Sequence, residues 1–220
     1  MTSRPAAGGG RWVPVGAERL AGWIGGFTDR HGPVEATLAG DVVRLRGLDG
    51  AVAECHVPFP PLAAPGADPV RALVTHAMAE RRVGVLLVRL GGYAAGVFEG
   101  SRLVASKVGS RQVHGRSAAG GWSQHRFARR REKQAGEAAQ AAADTAARIL
   151  TPQTPTLEAV ILGGDRRAIT PLRSDPRLKT VFALETPPFL DVPDPKLAIL
   201  QATPHDFRTV RIRLLDPPPP

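Results

Sequence analysis

The sequence is poor in cysteine and has no long hydrophobic segment. Cys55 is the only cysteine among 220 residues, which excludes a disulfide framework and a cysteine-rich zinc site and is typical of a reducing cytosol. The longest apolar run, residues 83–90, is interrupted by Gly84 and Arg89 and is far too short to span a bilayer. Residues 1–16 contain no continuous apolar core and so match neither a signal peptide nor a membrane anchor. We therefore expect a cytoplasmic protein.

The motifs of several common enzyme classes are also missing. The chain contains no G-x-S-x-G nucleophile motif, no G-x-x-x-x-G-K-S/T phosphate loop and no H-E-x-x-H zinc motif. Two-metal nuclease chemistry needs acidic residues on adjacent strand ends, and the central predicted strands offer only Glu99 and Asp165. These features argue against a nuclease, and we expect neither a metal nor an organic cofactor.

Positive charge, by contrast, is concentrated in one stretch. The chain has 29 Lys and Arg against 20 Asp and Glu, a net charge of +9. Residues 101–133 hold nine of these basic residues and one acid, a local net charge of +8, so the remainder is close to neutral. Charge confined to a glycine-broken loop and the helix after it is typical of a surface that binds a polyanion.

The spacing of apolar residues predicts a mixed α/β protein. Helices are predicted at residues 17–30, 70–81, 123–150 and 195–202, with a helix or turn at 165–173. Strands are predicted at residues 34–38, 42–45, 51–57, 83–90, 93–99, 103–108, 157–162, 180–184 and 209–215. The helix from Ser123 has a predicted buried stripe of small residues that includes Ala135, Ala142 and Ala146. Three consecutive strands followed by alternating helices and strands indicate a mixed sheet with helices on its faces.

Composition also predicts the domain organisation. We expect a flexible leader at 1–11, a helix with a small β unit at 12–60, a proline-rich linker at 61–69, a main domain at 70–216 and a polyproline tail at 217–220.

The predicted loop before Ser123 is suited to contact nucleic acid. Gly120 and Gly121 allow the backbone to approach a partner closely. Trp122 offers a plane for base stacking, and the helix start offers unpaired N–H groups that attract phosphate. Taken alone, a basic helix start is more typical of a solvated face or a generic RNA-contacting patch. Gln124 exchanges no proton near neutral pH, so its catalytic use is limited to orienting water or donating to an oxyanion.

The block HGRSAAGGWSQHRFARRREKQ, residues 114–134, resembles the middle domain of the eukaryotic and archaeal class I peptide chain release factors. Their signature is HGR, then Gly-Gly-Gln, then Ser, two residues and RFARLR. His114–Gly115–Arg116, Gly120–Gly121, Ser123 and five of the six residues 126–131 match it, with arginine at 130 in place of leucine. Three extra residues, 117–119, separate the HGR from the glycines. The resemblance is close over about twenty-five residues and loose in element order from 83 to 215.

The position directly after the two glycines also departs from that signature. The release factors have glutamine directly after the two glycines, whereas this chain has Trp122, and its nearest glutamine is Gln124. The variant loop GGWSQ resembles the actinobacterial branch of the Vms-like release factors, which free nascent chains from peptidyl-tRNA on stalled large ribosomal subunits. The resemblance implies that a glutamine assists water attack on the ester. We assign that role to Gln124, with Gln112 as the second choice.

The resemblance has further implications for fold, activity and partners. It implies a ribonuclease-H-like mixed sheet without nuclease activity, and peptidyl-tRNA hydrolase activity on the large ribosomal subunit. The small N-terminal β-rich accessory unit is expected from the predicted strands at residues 34–57 instead. The loop that would enter the peptidyl transferase centre contains Gly120, Gly121, Trp122 and Ser123. The residues expected to bind ribosomal RNA or tRNA are His114, Arg116, His125, Arg126, Arg129, Arg130, Arg131 and Lys133. The alternative is a non-catalytic, ribosome-associated RNA-binding module. In either case we expect a monomer.

Overall fold

The computed structural model describes residues 4–62, 68–110 and 123–217, and for 123–131 it describes the backbone alone. The chain divides into two units, one containing residues up to Ala79 and from His205 onward, the other containing Glu80–Pro204. The helices are Ala17–His31 (α1), Pro69–Met78 (α2), Ser123–Ile149 (α3), Arg166–Ile169 (α4), Lys179–Ala183 (α5) and Leu197–Phe207 (α6). The strands are Arg4–Pro5 (β1), Arg11–Gly16 (β2), Val34–Ala39 (β3), Val42–Gly47 (β4), Val52–His56 (β5), Arg82–Arg89 (β6), Gly92–Glu99 (β7), Arg102–Ser110 (β8), Ala159–Gly164 (β9) and Thr209–Leu215 (β10).

The first unit is an antiparallel sheet with two helices on one face. Its strand order is β1-β2-β10-β5-β4-β3. Leu20, Ile24 and Phe27 recur every three or four residues along α1 and are buried against the inward side chains of the strands, as an amphipathic helix requires. Helix α2 begins at Pro69, and the side chain of Asp68 caps it by accepting a hydrogen bond of 2.9 Å from the backbone N–H of Val70.

Two elements lie in a different unit from the one that the sequence analysis assigned. We placed the helix after the linker and the last strand in a main domain over residues 70–216, but α2 and β10 both belong to the first unit. Strand β10 lies inside the first sheet, between β2 and β5. The alternation of residues 209–215 predicts a strand correctly, but it contains no information about which strands will be its partners. Residues 4 and 5, expected in the leader, pair with β2.

The second unit is built on a four-stranded mixed sheet with the order β8-β7-β6-β9. Strands β6, β7 and β8 form an antiparallel meander, and β9 runs parallel to β6. The middle six residues of β6 are buried, which explains their continuous apolar sequence. This mixed α/β sheet confirms the fold class predicted from the sequence. No helix in the described ranges is long and apolar enough to cross a membrane.

The strand predicted at residues 180–184 is wrong, because this segment forms helix α5. A 3-10 turn at Pro176–Leu178 leads directly into α5, and Asp175 caps that turn by accepting a hydrogen bond of 3.0 Å from the backbone N–H of Arg177. Val181, which belongs to α5, is buried in the core of the second unit. Extended structure begins only at Glu185, which forms a single parallel bridge with β9. The strand preference of the β-branched and aromatic residues in this five-residue segment is therefore outweighed by the turn before it, which starts a helix.

Candidate nucleic-acid interface

Helix α3 has a packed C-terminal half and an exposed middle. Ala142, Ala146 and Leu150 are fully buried, and this part of the chain packs against β7 and β8. Residues 135–137 are exposed, so the predicted burial of Ala135 is wrong. At about 1.5 Å per residue, Ser123 lies roughly 28 Å along the axis from Ala142. The helix therefore holds its first, basic turns well away from the half that anchors it.

The basic residues of α3 are brought together by helical geometry. Backbone positions 126, 129, 130 and 133 are separated by three and four residues and thus share one side of the helix. We call the side that these positions share the basic face. His125 and Arg131 belong to the same helical segment. Gln124 is the second residue of α3 and lies about 160° around the axis from position 126, given about 100° per residue. The backbone thus separates the candidate glutamine from the basic face.

Lys133 is the residue of the basic face whose side chain is described. Its side chain is 80% exposed, and its ammonium lies 4.0 Å from the carboxylate of Glu137, one turn later. A surface pair of this kind contributes only a few tenths of a kcal/mol. The charge of Lys133 therefore stays accessible to an anionic partner.

Five predicted site residues lie outside the described residues, together with the alternative glutamine, Gln112. The five are His114, Arg116, Gly120, Gly121 and Trp122. Ser123, Gln124, His125, Arg126, Arg129, Arg130 and Arg131 are described in their backbone only. The assigned roles of all these residues remain predictions.

Strand β8, which precedes residues 111–122, packs against an aromatic ring near its end. Gly109 of β8 pairs directly with Tyr93 of β7. A Cβ atom at Gly109 would lie 2.5 Å from the ring and hydroxyl of Tyr93, which is far closer than a normal contact. Tyr93 in turn packs against the core of the second unit. Sequence analysis missed this pair, since only the register of the two strands shows that a glycine faces the tyrosine.

Ion pairs fasten the packed half of α3 to the turn that precedes α5. The guanidinium of Arg177 donates to Asp144 of α3 at 2.8 Å and to Asp175 at 2.6 Å. These hydrogen bonds from Arg177 are the largest cause of the lowered pKa of both carboxyl groups. Gln140 donates to Asp144 as well, at 2.9 Å. The C-terminal half of α3 is thus held by charge as well as by packing.

The two acidic residues considered for nuclease chemistry lie at opposite ends of the second sheet. Glu99 forms ion pairs with Arg82, at the start of β6, and with Arg102. Asp165 follows β9, and its backbone N–H donates to Val88 near the end of β6 at 2.8 Å. Six residues of strand separate these ends by about 20 Å, whereas the metals of a two-metal site lie about 4 Å apart. Glu99 and Asp165 therefore cannot share such a site.

The second unit combines a mixed sheet with a long helix whose first turns are basic in sequence, which are the features that the resemblance to release factors implies. The family model of the Actinobacteria/chloroflexi VLRF1 release factors matches residues 81–213, more than half of the chain. The protein therefore belongs to this family, which confirms the resemblance found in the sequence.

Solved structures of low identity were also found to be similar. The archaeal translation termination factor aRF1 is 19% identical, with a TM-score of 0.44, over 71% of this chain and 46% of that one. The Vms1 mitochondrial localization core is 9% identical, with a TM-score of 0.45, over 92% of this chain and 82% of that one. The match thus spans about half of the archaeal factor. No curated protein matches the chain.

Proposed function

We propose that the protein is a ribosome-rescue release factor that hydrolyses the ester of peptidyl-tRNA on stalled large ribosomal subunits. Membership of the VLRF1 release-factor family is the observation that carries the proposal. The geometry of α3 is consistent with it, because a helix anchored by its far half leaves its basic start available to a partner. Residues 120–124 would enter the peptidyl transferase centre.

The proposed reaction needs little chemistry from the protein. Water attacks the carbonyl carbon of the ester, the bond from that carbon to the ribose oxygen breaks, the ribose oxygen takes up a proton and the peptide leaves as a free acid. An ester is already activated, and ribosomal RNA and the ribose hydroxyl supply polar groups. Gln124 would position the water through its amide, which suits a residue that carries no exchangeable charge.

The basic face would bind the RNA backbone around the reacting ester. Arg126, Arg129, Arg130 and Lys133 carry four positive charges on one side of the helix. Each phosphate contact contributes about 0.7 to 0.9 to the slope of log affinity against log salt. Removal of all four charges is therefore expected to lower that slope by about 3.

The test is peptide release from purified large subunits that carry peptidyl-tRNA, with subunit binding measured on the same samples. The wild type is expected to release peptide, and Gln124→Ala to lose release by about a hundredfold or more while binding is retained. Gln134→Ala is the matched control, because it removes the same amide from the same helix about 15 Å further along the axis. Gln112→Ala tests the alternative position.

Three outcomes would change the assignment. Release by Gln124→Ala at the wild-type rate would remove Gln124 from the mechanism, and loss of release in Gln112→Ala would transfer the role to that residue. Salt-sensitive subunit binding by the wild type without any release would favour the non-catalytic RNA-binding module instead.

A further inference from the structure

Among the described residues of the first unit, both helices pack on the same face of the sheet. Helices α1 and α2 pack on the side formed by Val43, Ala53, Cys55 and Ile212. The alternate residues of each strand point to the opposite side, which we call the open face. Arg44 lies on this face, and its side chain is 55% exposed.

Strand register arranges the residues of the open face in transverse rows. One row crosses five neighbouring strands through Arg4, Trp12, Arg213, Glu54 and Arg44. At about 4.8 Å between strands, this row is roughly 19 Å long.

A second row runs beside the first. It places Arg211 directly against His56, so that the aromatic and basic residues of neighbouring strands form one continuous surface.

Positive charge dominates the open face. Five arginines lie on it, namely Arg4, Arg44, Arg46, Arg211 and Arg213, against the two acids Glu35 and Glu54.

The more buried of those two acids is already neutralised. The side chain of Glu54 is 13% exposed, and its carboxylate accepts from Arg44 at 2.7 Å and from Arg213 at 3.5 Å. Arg213 is further held by the carbonyl groups of Gly8 and Gly9. Arg46 and Arg211 are exposed and form no ion pair with any described residue, so their charges face solvent.

Aromatic rings lie among these charges. The guanidinium of Arg211 stacks over the indole of Trp12, 4.7 Å from the ring centroid. The ring of His56 meets the same indole edge-on, with centroids 5.0 Å apart. Burial lowers the pKa of His56, and Arg211 and Arg213 add to this effect while Glu54 opposes it. The imidazole is therefore an uncharged ring near neutral pH.

We propose that the open face binds single-stranded RNA, with bases stacking on the Trp12–Arg211–His56 cluster and with Arg46 and Arg211 contacting phosphates. Unpaired bases stack on aromatic rings and on guanidinium planes, and a basic surface attracts the backbone. A paired helix hides its base faces, which excludes this mode of stacking for duplex RNA. This surface is distinct from the basic face of α3 and does not depend on the proposed peptide release.

The test uses the full chain and a uridine oligomer of about twelve nucleotides that carries 4-thiouridine. Ultraviolet crosslinking followed by trypsin is expected to mark the peptide of residues 12–19, which contains Trp12 and follows the cleavage site at Arg11. The position of the crosslinked peptide separates the open face from the basic face of α3, for which RNA binding is also proposed. Trp12→Ala is expected to lose most of the affinity at this site, whereas Trp12→Phe, which keeps a ring, loses less.

Paired charge variants complete the design. Arg46→Ala/Arg211→Ala is expected to lower the salt slope by about 1.4 and the affinity near 0.1 M salt on the order of tenfold. The control Arg30→Ala/Arg71→Ala removes two exposed arginines from α1 and α2, on the helical side of the same unit, and is expected to bind like the wild type.

Several results would overturn the proposal. These are wild-type affinity in the Arg46/Arg211 variant, an equal loss in the control pair, or the absence of crosslinks in peptide 12–19. Peptide release measured in parallel separates the two proposals, because an open-face variant that loses RNA crosslinks and still releases peptide leaves the proposed function intact.

Discussion

Substitution of Gly109 by alanine tests whether Tyr93 fixes the strand end from which residues 111–122 depart. The added Cβ would lie 2.5 Å from the ring of Tyr93, whereas ordinary contacts begin near 3.4 Å. The ring or the strand must therefore move by about 1 Å. Forcing an extra methyl group into a packed site costs about 1–3 kcal/mol, and we expect the free energy of unfolding of the second unit to fall by that amount.

A double-mutant cycle identifies the cause of this loss. Tyr93→Ala removes the colliding ring, so Gly109→Ala is expected to cost little in that background. The coupling energy between the two substitutions is then about 1–2 kcal/mol in favour of the double variant. Urea unfolding followed by far-ultraviolet circular dichroism measures all four proteins.

Gly136→Ala is the matched control within the same unit. A Cβ at Gly136 meets nothing within 4 Å, and alanine is favoured over glycine inside a helix, so this variant is expected to gain about 0.5–1 kcal/mol. Opposite signs for the two glycines would support the reasoning. Stability of Gly109→Ala equal to the wild type, or simple additivity with Tyr93→Ala, would show that the ring does not constrain the strand.

Two further predictions concern titratable groups. Burial raises the pKa of Cys55 to about 12, which lowers its thiolate fraction about a thousandfold relative to a thiol of pKa 9.0. Thiol reagents are therefore expected to modify the native protein only as fast as the first unit opens, and rapid modification in the absence of denaturant would contradict this. In the second unit, Arg177 lowers the pKa of Asp144 and Asp175, so its stabilising effect is present above about pH 4 and is lost as the pH falls through the lowered values. Melting temperatures of the wild type and Arg177→Ala are expected to differ near pH 7 and converge in acid, and a difference that persists at about pH 2 would refute this.

Local sequence patterns predicted the elements whose burial follows a simple period. Leu20, Ile24 and Phe27 form the buried stripe of α1, and the continuous apolar sequence of β6 marks a strand covered on both sides. The start of α3 at Ser123 was also predicted correctly. These features depend on neighbours in the chain, which is why the sequence alone specifies them.

Features that depend on distant residues were not predictable in the same way. The alternation of β10 is that of a strand in any sheet, and its pairing with β2 and β5 depends on contacts with residues more than 150 positions away. The open face is a partial exception. Arginines at every second position of β4 and β10, as in VRLR and VRIR, could have indicated a basic sheet face, since such spacing places them on one side.

The candidate site likewise has features that the local sequence predicts and features that depend on distant contacts. The charge and the motif of residues 114–134 are properties of the sequence and lead directly to the release-factor family. The division of α3 into an anchored half and an exposed middle depends on which alanines meet the sheet. Ala135 and Ala142 have the same side chain, yet only Ala142 is buried.

Because β10 lies inside the first sheet, it determines which of the two units can be completed first during synthesis. The second unit is one continuous segment, Glu80–Pro204, and is available to fold as soon as it has left the ribosome. The first sheet at that stage consists of two separate parts, β1-β2 and β5-β4-β3, because the strand that joins them is translated last. Although the first unit contains the N-terminal residues, it is therefore the second of the two to be completed.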